Sequence, residues 1–221
     1  MAAGPGAASS DAAAARTGAP LTRKGVQTRE RILDIASDQF ARSGSQATSL
    51  RSIAAAAGIS HAGVLRYFPD KDALLIAVME RSDQESFDRI YAAPGQVRPE
   101  FLTGDGPIRF LRGFLAVIES RTRMRQVPEL YFTIAIEATD LEHPAHDHVV
   151  QRYVDLKAAL VEIFTALLPG TAGERIGATA VTNQFVAILD GAQLQWLLQP
   201  DEVNPAAEAR SYLELLGIDL G

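Results

Sequence analysis

The chain has 221 residues, 47% of them hydrophobic, a formal net charge of −6 and no cysteine. That length suffices for a small head plus a larger body, and the missing cysteine excludes disulfides, thiolate zinc sites and cysteine nucleophiles. No apolar run approaches the ~18 residues of a membrane span, and no basic region precedes an apolar core at the N-terminus, so a cytoplasmic protein with no membrane partner is expected. The charge is unevenly laid out: residues 21–81 hold nine Lys or Arg against six Asp or Glu, whereas 82–221 hold eleven against twenty. A basic head on an acidic body suits a polyanion at one end only.

Residues 1–22 begin as Ala, Gly and Ser without apolar period, which predicts a disordered tail. Helix 1 is expected from about Val26 to Arg42, with Ile32, Leu33, Ala36 and Phe40 inward and Gly44 just past its end. Next, Leu50, Ile53, Ala54 and Ala57 mark one face of a short helix behind a Thr48 or Ser49 cap. Gly58 ends it, Ile59 plugs the turn and Ser60 caps a third helix, in which Val64 and Phe68 pack inward. His61, Ala62, Gly63, Arg66 and Tyr67 are left facing outward, a set of short, polar, basic and aromatic side chains that a DNA major groove accepts. The first turns of both helices offer free N–H groups to an anion, and Thr48, Ser49 and Ser60 add hydroxyls. Arg51 opposes the helix dipole there unless a phosphate lies nearby. Two short helices joined by a glycine turn also occur in proteins that never touch nucleic acid.

The run from Thr28 to Ala77 resembles the DNA-binding domain of the TetR/AcrR-type bacterial transcriptional regulators. The resemblance is carried by Arg29, Ile32, Ala36, Phe40, Gly44, Thr48, Ile53, Ala54, Gly58, Ser60, Phe68, Lys71, Leu74 and Leu75. It implies an all-α fold with an N-terminal three-helix helix-turn-helix domain and a C-terminal helical bundle, about nine helices in all, forming a homodimer that binds a small effector. Where the family usually has a phosphate-binding tyrosine three residues before the phenylalanine, this chain has Leu65, and Tyr67 is expected to supply the hydroxyl instead. The expected DNA-contacting residues are thus Arg29, Thr48, Ser49, Arg51, Ser60, His61, Ala62, Gly63, Arg66, Tyr67 and Lys71. Within them, Ser60, Thr48, Tyr67 and Lys71 hold phosphates, while His61, Gly63 and Arg66 lie at base edges.

Asp70 caps helix 4, which is expected to reach about Ile90 and to link the head, 23–70, to an effector-binding and dimerisation region, 71–221. A linker with three glycines and two prolines follows over 92–106. Helix 5 opens at Pro107, presents Ile108, Leu111, Leu115 and Ile118, widened by Phe110 and Phe114, and closes on Arg121, Arg123 and Arg125. Helix 6, 128–138, is apolar on most sides, with a polar stripe of Glu129, Thr133 and Glu137. His143, His146 and His148 crowd one segment, but Pro144 interrupts it and the spacing does not bring them onto one helix face, so no metal is expected. Helix 7 carries Val149, Tyr153, Leu156, Leu160, Phe164 and Leu167 in register; helix 8 is expected over 172–198 and helix 9 over 205–216.

An effector pocket is expected among helices 4 to 7, walled by Phe110, Phe114, Tyr131, Phe132 and Ile136, with Glu137 or Gln184 as polar anchor, taking a largely apolar small molecule. The small-residue face of helix 8 lets another helix approach, and the family pairs its last two long helices across a two-fold axis. The dimer interface is accordingly expected at Ala180, Ala187, Gly191, Leu194, Leu198 and Leu213. The function expected is a sequence-specific regulator, a repressor of nearby genes that binds palindromic double-stranded operator DNA and is released by the effector, with no cofactor. An enzyme on a helical scaffold is the rival, but no Gly-rich phosphate loop, Gly-x-Ser-x-Gly elbow or HExxH helix occurs, so no catalytic residue is assigned. A regulator-like protein acting through protein contacts alone is the third reading.

Overall fold

A computed structural model of the chain describes residues 22–87, 91–93, 96–123 and 125–221. The expected tail, 1–22, therefore lies outside the described residues apart from Thr22, as does 88–90 at the expected end of helix 4. The described residues form nine α-helices: α1 Arg23–Ala47, α2 Leu50–Ala56, α3 His61–Leu65, α4 Lys71–Phe87, α5 Gly106–Arg121, α6 Gln126–Glu137, α7 His146–Leu167, α8 Ala178–Leu198 and α9 Pro205–Leu215. Between α4 and α5 lie a two-strand antiparallel ladder pairing Tyr91 with Val97 and Ala93 with Gln96, and a 3-10 turn Pro99–Phe101. The expected linker is thus partly ordered by hydrogen bonds. The chain divides into two compact units, residues up to Ser82 and from Asp83 to Gly221.

The first unit is the helix-turn-helix head. Ile32, Leu33, Ala36 and Phe40 of α1 are buried, as expected from their spacing, together with Ile53, Ala54, Val64, Phe68, Leu74 and Leu75. The helical geometry of α1 breaks at Gly44, whose φ is 78°. α2 ends in a Schellman motif: Ile59 N–H donates to the Ala54 carbonyl at 3.1 Å and Gly58 N–H to that of Ala55 at 3.1 Å. Gly58 carries the positive φ, 65°, that this closure requires. Asp70 caps α4 by accepting from Ala73 N–H at 2.7 Å.

The second unit has its core among α5, α7, α8 and α9. Phe114 and Phe185 meet at 6.1 Å between ring centroids, and Phe164 meets Phe185 edge-on at 5.5 Å. Val181, Leu189, Ala209, Leu213, Ile218 and Leu220 close the same cluster. Helix 8 starts six residues later than its composition predicts. Residues 172–176 form turns, and Gly177, at φ 85°, occupies the N-cap. Arg125 stays within the body, donating to the Leu197 carbonyl at 2.5 Å and lying 6.0 Å from the centroid of the Trp196 ring.

Candidate functional site

The head's hydroxyls divide into two kinds. Thr48 is buried, and its Oγ1 donates to the Gly44 and Gln39 carbonyl oxygens at 2.9 and 3.2 Å. Its side chain ties the end of α1 to the start of α2, which corrects the expectation that it holds phosphate. Ser49 is the cap of α2: its Oγ accepts from Ser52 N–H at 3.1 Å while Ser52 Oγ accepts from Ser49 N–H at 3.3 Å. Both Ser49 and Ser52 are exposed, and Gln39 Oε1 accepts from Ser52 Oγ at 2.9 Å. Ser60 caps α3, accepting from Gly63 N–H at 3.0 Å, and is itself exposed.

Beyond that cap, His61 and Ala62 are exposed, while Gly63, Arg66 and Tyr67 are half-buried. Gly63 keeps the surface low, since a Cβ there would stand 3.3 Å from Ser60 Oγ. Arg66 Nε is covered and has no hydrogen-bond partner. Arg51 is exposed. Two other cations of the expected set serve the head itself. Arg29 lies 5.2 Å over the Phe68 ring and 3.4 Å from Glu30 Oε1, and Lys71 Nζ donates to the Ser45 carbonyl at 3.1 Å. The spacing of residues in sequence gave no sign that Arg81 of α4 would bridge to α1, at 2.7 Å from Asp34 and 3.4 Å from Glu30.

In the body, the expected pocket residues do not share one environment. Phe110 and Phe114 are 1% and 2% exposed and stack in the core, so their bulk is used by packing. Ile136 is 63% exposed, and Gln184 is exposed and accepts from Tyr212 Oη at 2.5 Å. Burial pushes the Tyr212 phenol up. Glu137 lies 3.8 Å from His143 Nε2, while His146 Nδ1 donates to the Ala138 carbonyl at 2.8 Å. His143 and His146 thus serve the α6–α7 turn, and among the described residues no group of three or more acidic or histidine side chains could hold a metal ion. Tyr131 and Phe132 are half-buried and meet edge-on at 6.4 Å. The sequence reading missed a polar pair beside them: Tyr153 Oη donates to Asp190 Oδ2 at 2.8 Å. Burial pushes the Asp190 carboxyl up, against the Tyr153 hydrogen bond and the charges of Arg152 and Lys157, which pull it down. The Tyr153 phenol is raised by burial first and by Asp190 next.

Of the expected dimer residues, Leu194 and Leu198 are 43% and 75% exposed, Ala187 is exposed, and Ala180 and Gly191 are half-buried. Leu213 is fully buried in the protomer's own core, which corrects its assignment to the interface; on α9 the exposed leucine is Leu215.

A capped two-helix turn on a three-helix head, followed by a mainly helical body, is the arrangement of a helix-turn-helix transcriptional regulator. The family model of bacterial regulatory proteins, tetR family, matches residues 32–78. The HTH-type transcriptional regulator AcrR of Shigella flexneri is 26% identical over 201 residues, covering 86% of this chain and 87% of that protein. Two solved structures share the fold. One is SmeT, the repressor of the Stenotrophomonas maltophilia multidrug efflux pump SmeDEF, at 19% identity, 85% and 87% coverage and a TM-score of 0.61; a SmeT–triclosan complex is also known. The other is a TetR family regulator from Agrobacterium tumefaciens, at 22% identity, 86% and 97% coverage and a TM-score of 0.65. The match at the head and the similarity to AcrR over most of the chain support a TetR/AcrR-type DNA-binding transcriptional regulator. Among the described residues, no helix is long and apolar enough to cross a membrane.

Proposed function

We propose that the chain is a homodimeric repressor that binds palindromic operator DNA through residues 23–70 and is released when a small molecule binds the region 71–221. The observation that carries the DNA-binding half is the start of α3: a Ser60 cap with exposed His61 and Ala62 beyond it and a low surface at Gly63. This helix end presents free N–H groups and short side chains, so backbone can come close to base edges. Ser49, Arg51, Ser60 and Tyr67 are assigned to phosphate, and His61, Gly63 and Arg66 to the groove. Lys71 and Arg29 contribute positive potential from positions where they also brace the head.

Release by a ligand is supported by the relatives: SmeT regulates an efflux pump and is known with triclosan bound. Tyr131 and Phe132 remain as the aromatic wall of the proposed pocket, since Phe110 and Phe114 are taken up by the core. The dimer is supported by the exposed leucines of α8 and α9. The enzyme reading draws no support from the relatives, which are regulators.

A gel-shift titration of the purified protein against selected DNA fragments, repeated across salt concentrations, tests this reading. A complex with sequence preference whose affinity falls steeply with salt is expected. Binding without preference, or none, would move the chain to the protein-contact reading; turnover of a substrate would support the enzyme.

A further inference from the structure

The outward face of α3 carries one side chain that neither phosphate binding nor the head's core accounts for. Leu65 is 39% exposed, and among the described residues of the head the only other large hydrophobic side chain left so open is Val26, in the first turn of α1. Val64, the residue before Leu65, is wholly buried and anchors α3 to the core. His61, four residues before Leu65, and Ala62, three before it, are both exposed. On an α-helix those spacings put His61, Ala62 and Leu65 on one face. That face begins at the exposed Ser60 cap and adjoins the low surface at Gly63. A leucine exposed singly is ordinary on a protein surface. This one ends the face of α3 that is offered to the major groove.

We propose that Leu65 is a specificity-determining residue, its isobutyl group lying against the C5-methyl of one thymine in each operator half-site. A leucine side chain has no donor or acceptor, so it cannot hold a phosphate oxygen or pair with a polar base edge. Of the groups that base pairs present in the major groove, the thymine methyl is the one an apolar side chain recognises. Contact there removes apolar surface from water on both sides, whereas cytosine or uracil at the same place would leave the leucine facing an unfilled gap. The inference rests on the DNA-binding half of the proposed function. It adds an apolar base contact to the polar ones assigned to His61 and Arg66.

A uracil scan tests it. Fragments that the purified protein selects from random DNA supply the operator, and each thymine in turn is replaced by deoxyuridine, which removes only the methyl. Affinities of the unaltered chain, Leu65→Ala and Leu65→Met are read by fluorescence anisotropy at one salt concentration. For the unaltered chain, one thymine per half-site is expected to be sensitive, with binding about three- to fivefold weaker for the lost methyl. Leu65→Ala should no longer distinguish thymine from uracil there, while Leu65→Met, which keeps the apolar reach, should still do so. If Leu65→Ala melts early, Leu65→Ser takes its place. A flat scan with the unaltered chain overturns the assignment, as does a sensitivity that survives in the alanine variant, which would give the methyl to another residue such as Ala62. Equal weakening of every operator by Leu65→Ala also overturns it, since the leucine would then touch the sugar-phosphate backbone. Failure to select any DNA sequence would strike at the regulator reading itself, whereas a selected operator with a flat uracil scan strikes only at Leu65.

Discussion

Thr48 and Ser49 are adjacent hydroxyls with different jobs. Thr48 Oγ1 is buried against two carbonyls of α1, whereas Ser49 is an exposed cap. Thr48→Val keeps the shape and removes the donor, so it is expected to lower head stability by about 1–3 kcal/mol, read from thermal unfolding. A variant that melts normally but loses DNA affinity would restore Thr48 to phosphate. For base readout, Arg66→Ala is expected to cost about 1–3 kcal/mol at one base position, whereas Lys71→Ala should weaken all sequences alike and reduce the salt slope by about 1. Binding to a panel of single-base operator variants separates these two patterns. Asp190 makes a pH prediction. Burial raises its carboxyl, so the folded state holds that proton more tightly than the unfolded chain does. Stability from this group therefore falls as pH rises through the raised titration range, and Asp190→Asn should flatten the fall in melts taken from about pH 4 to 8. Sequence alone could not choose between Thr48 and Ser49, because caps one residue apart look the same until burial is known. Asp190 did leave a trace, as a lone acid in an apolar helix, and the missing information was which side chain would reach it.

At the scale of elements, legibility followed the length of the periodic signal. The buried faces of α1, α5 and α7 were readable because apolar residues recur over several turns. The Gly58–Ser60 turn was readable because glycine and a capping serine fix its geometry. No Cβ contact within 4 Å opposes a side chain at Gly58, so Gly58→Ala should carry only the cost of its positive φ, about 1–2 kcal/mol. Chemical denaturation checks this, and a much larger loss would point to packing around the turn. The ladder at 91–97 was not readable, since two or three residues per strand are too few for alternation to register. The start of α8 was misplaced because Ala172 and the residues after it have ordinary helical composition, while Gly177 sets a backbone angle that composition does not reveal.

For the molecule as a whole, the charge asymmetry and the helix-turn-helix pattern made the class legible, whereas assembly depends on which apolar residues the protomer leaves uncovered. Leu213 and Leu215 are two residues apart and have opposite fates, one in the core and one 79% exposed. Gly191 offers a clean test of the proposed dimer. A Cβ there would touch only the end of Gln195, at 3.9 Å, so Gly191→Glu should leave the protomer folded while placing a charge in the α8 contact. Sedimentation should then show monomer, and an unchanged dimer would place the interface elsewhere. That the head reads DNA sequence is tested most directly by selection of DNA fragments from a random pool with the purified protein. Enrichment of one palindrome is expected, with half-sites about one helical turn, or a multiple of it, apart. A pool that remains random after selection would contradict it.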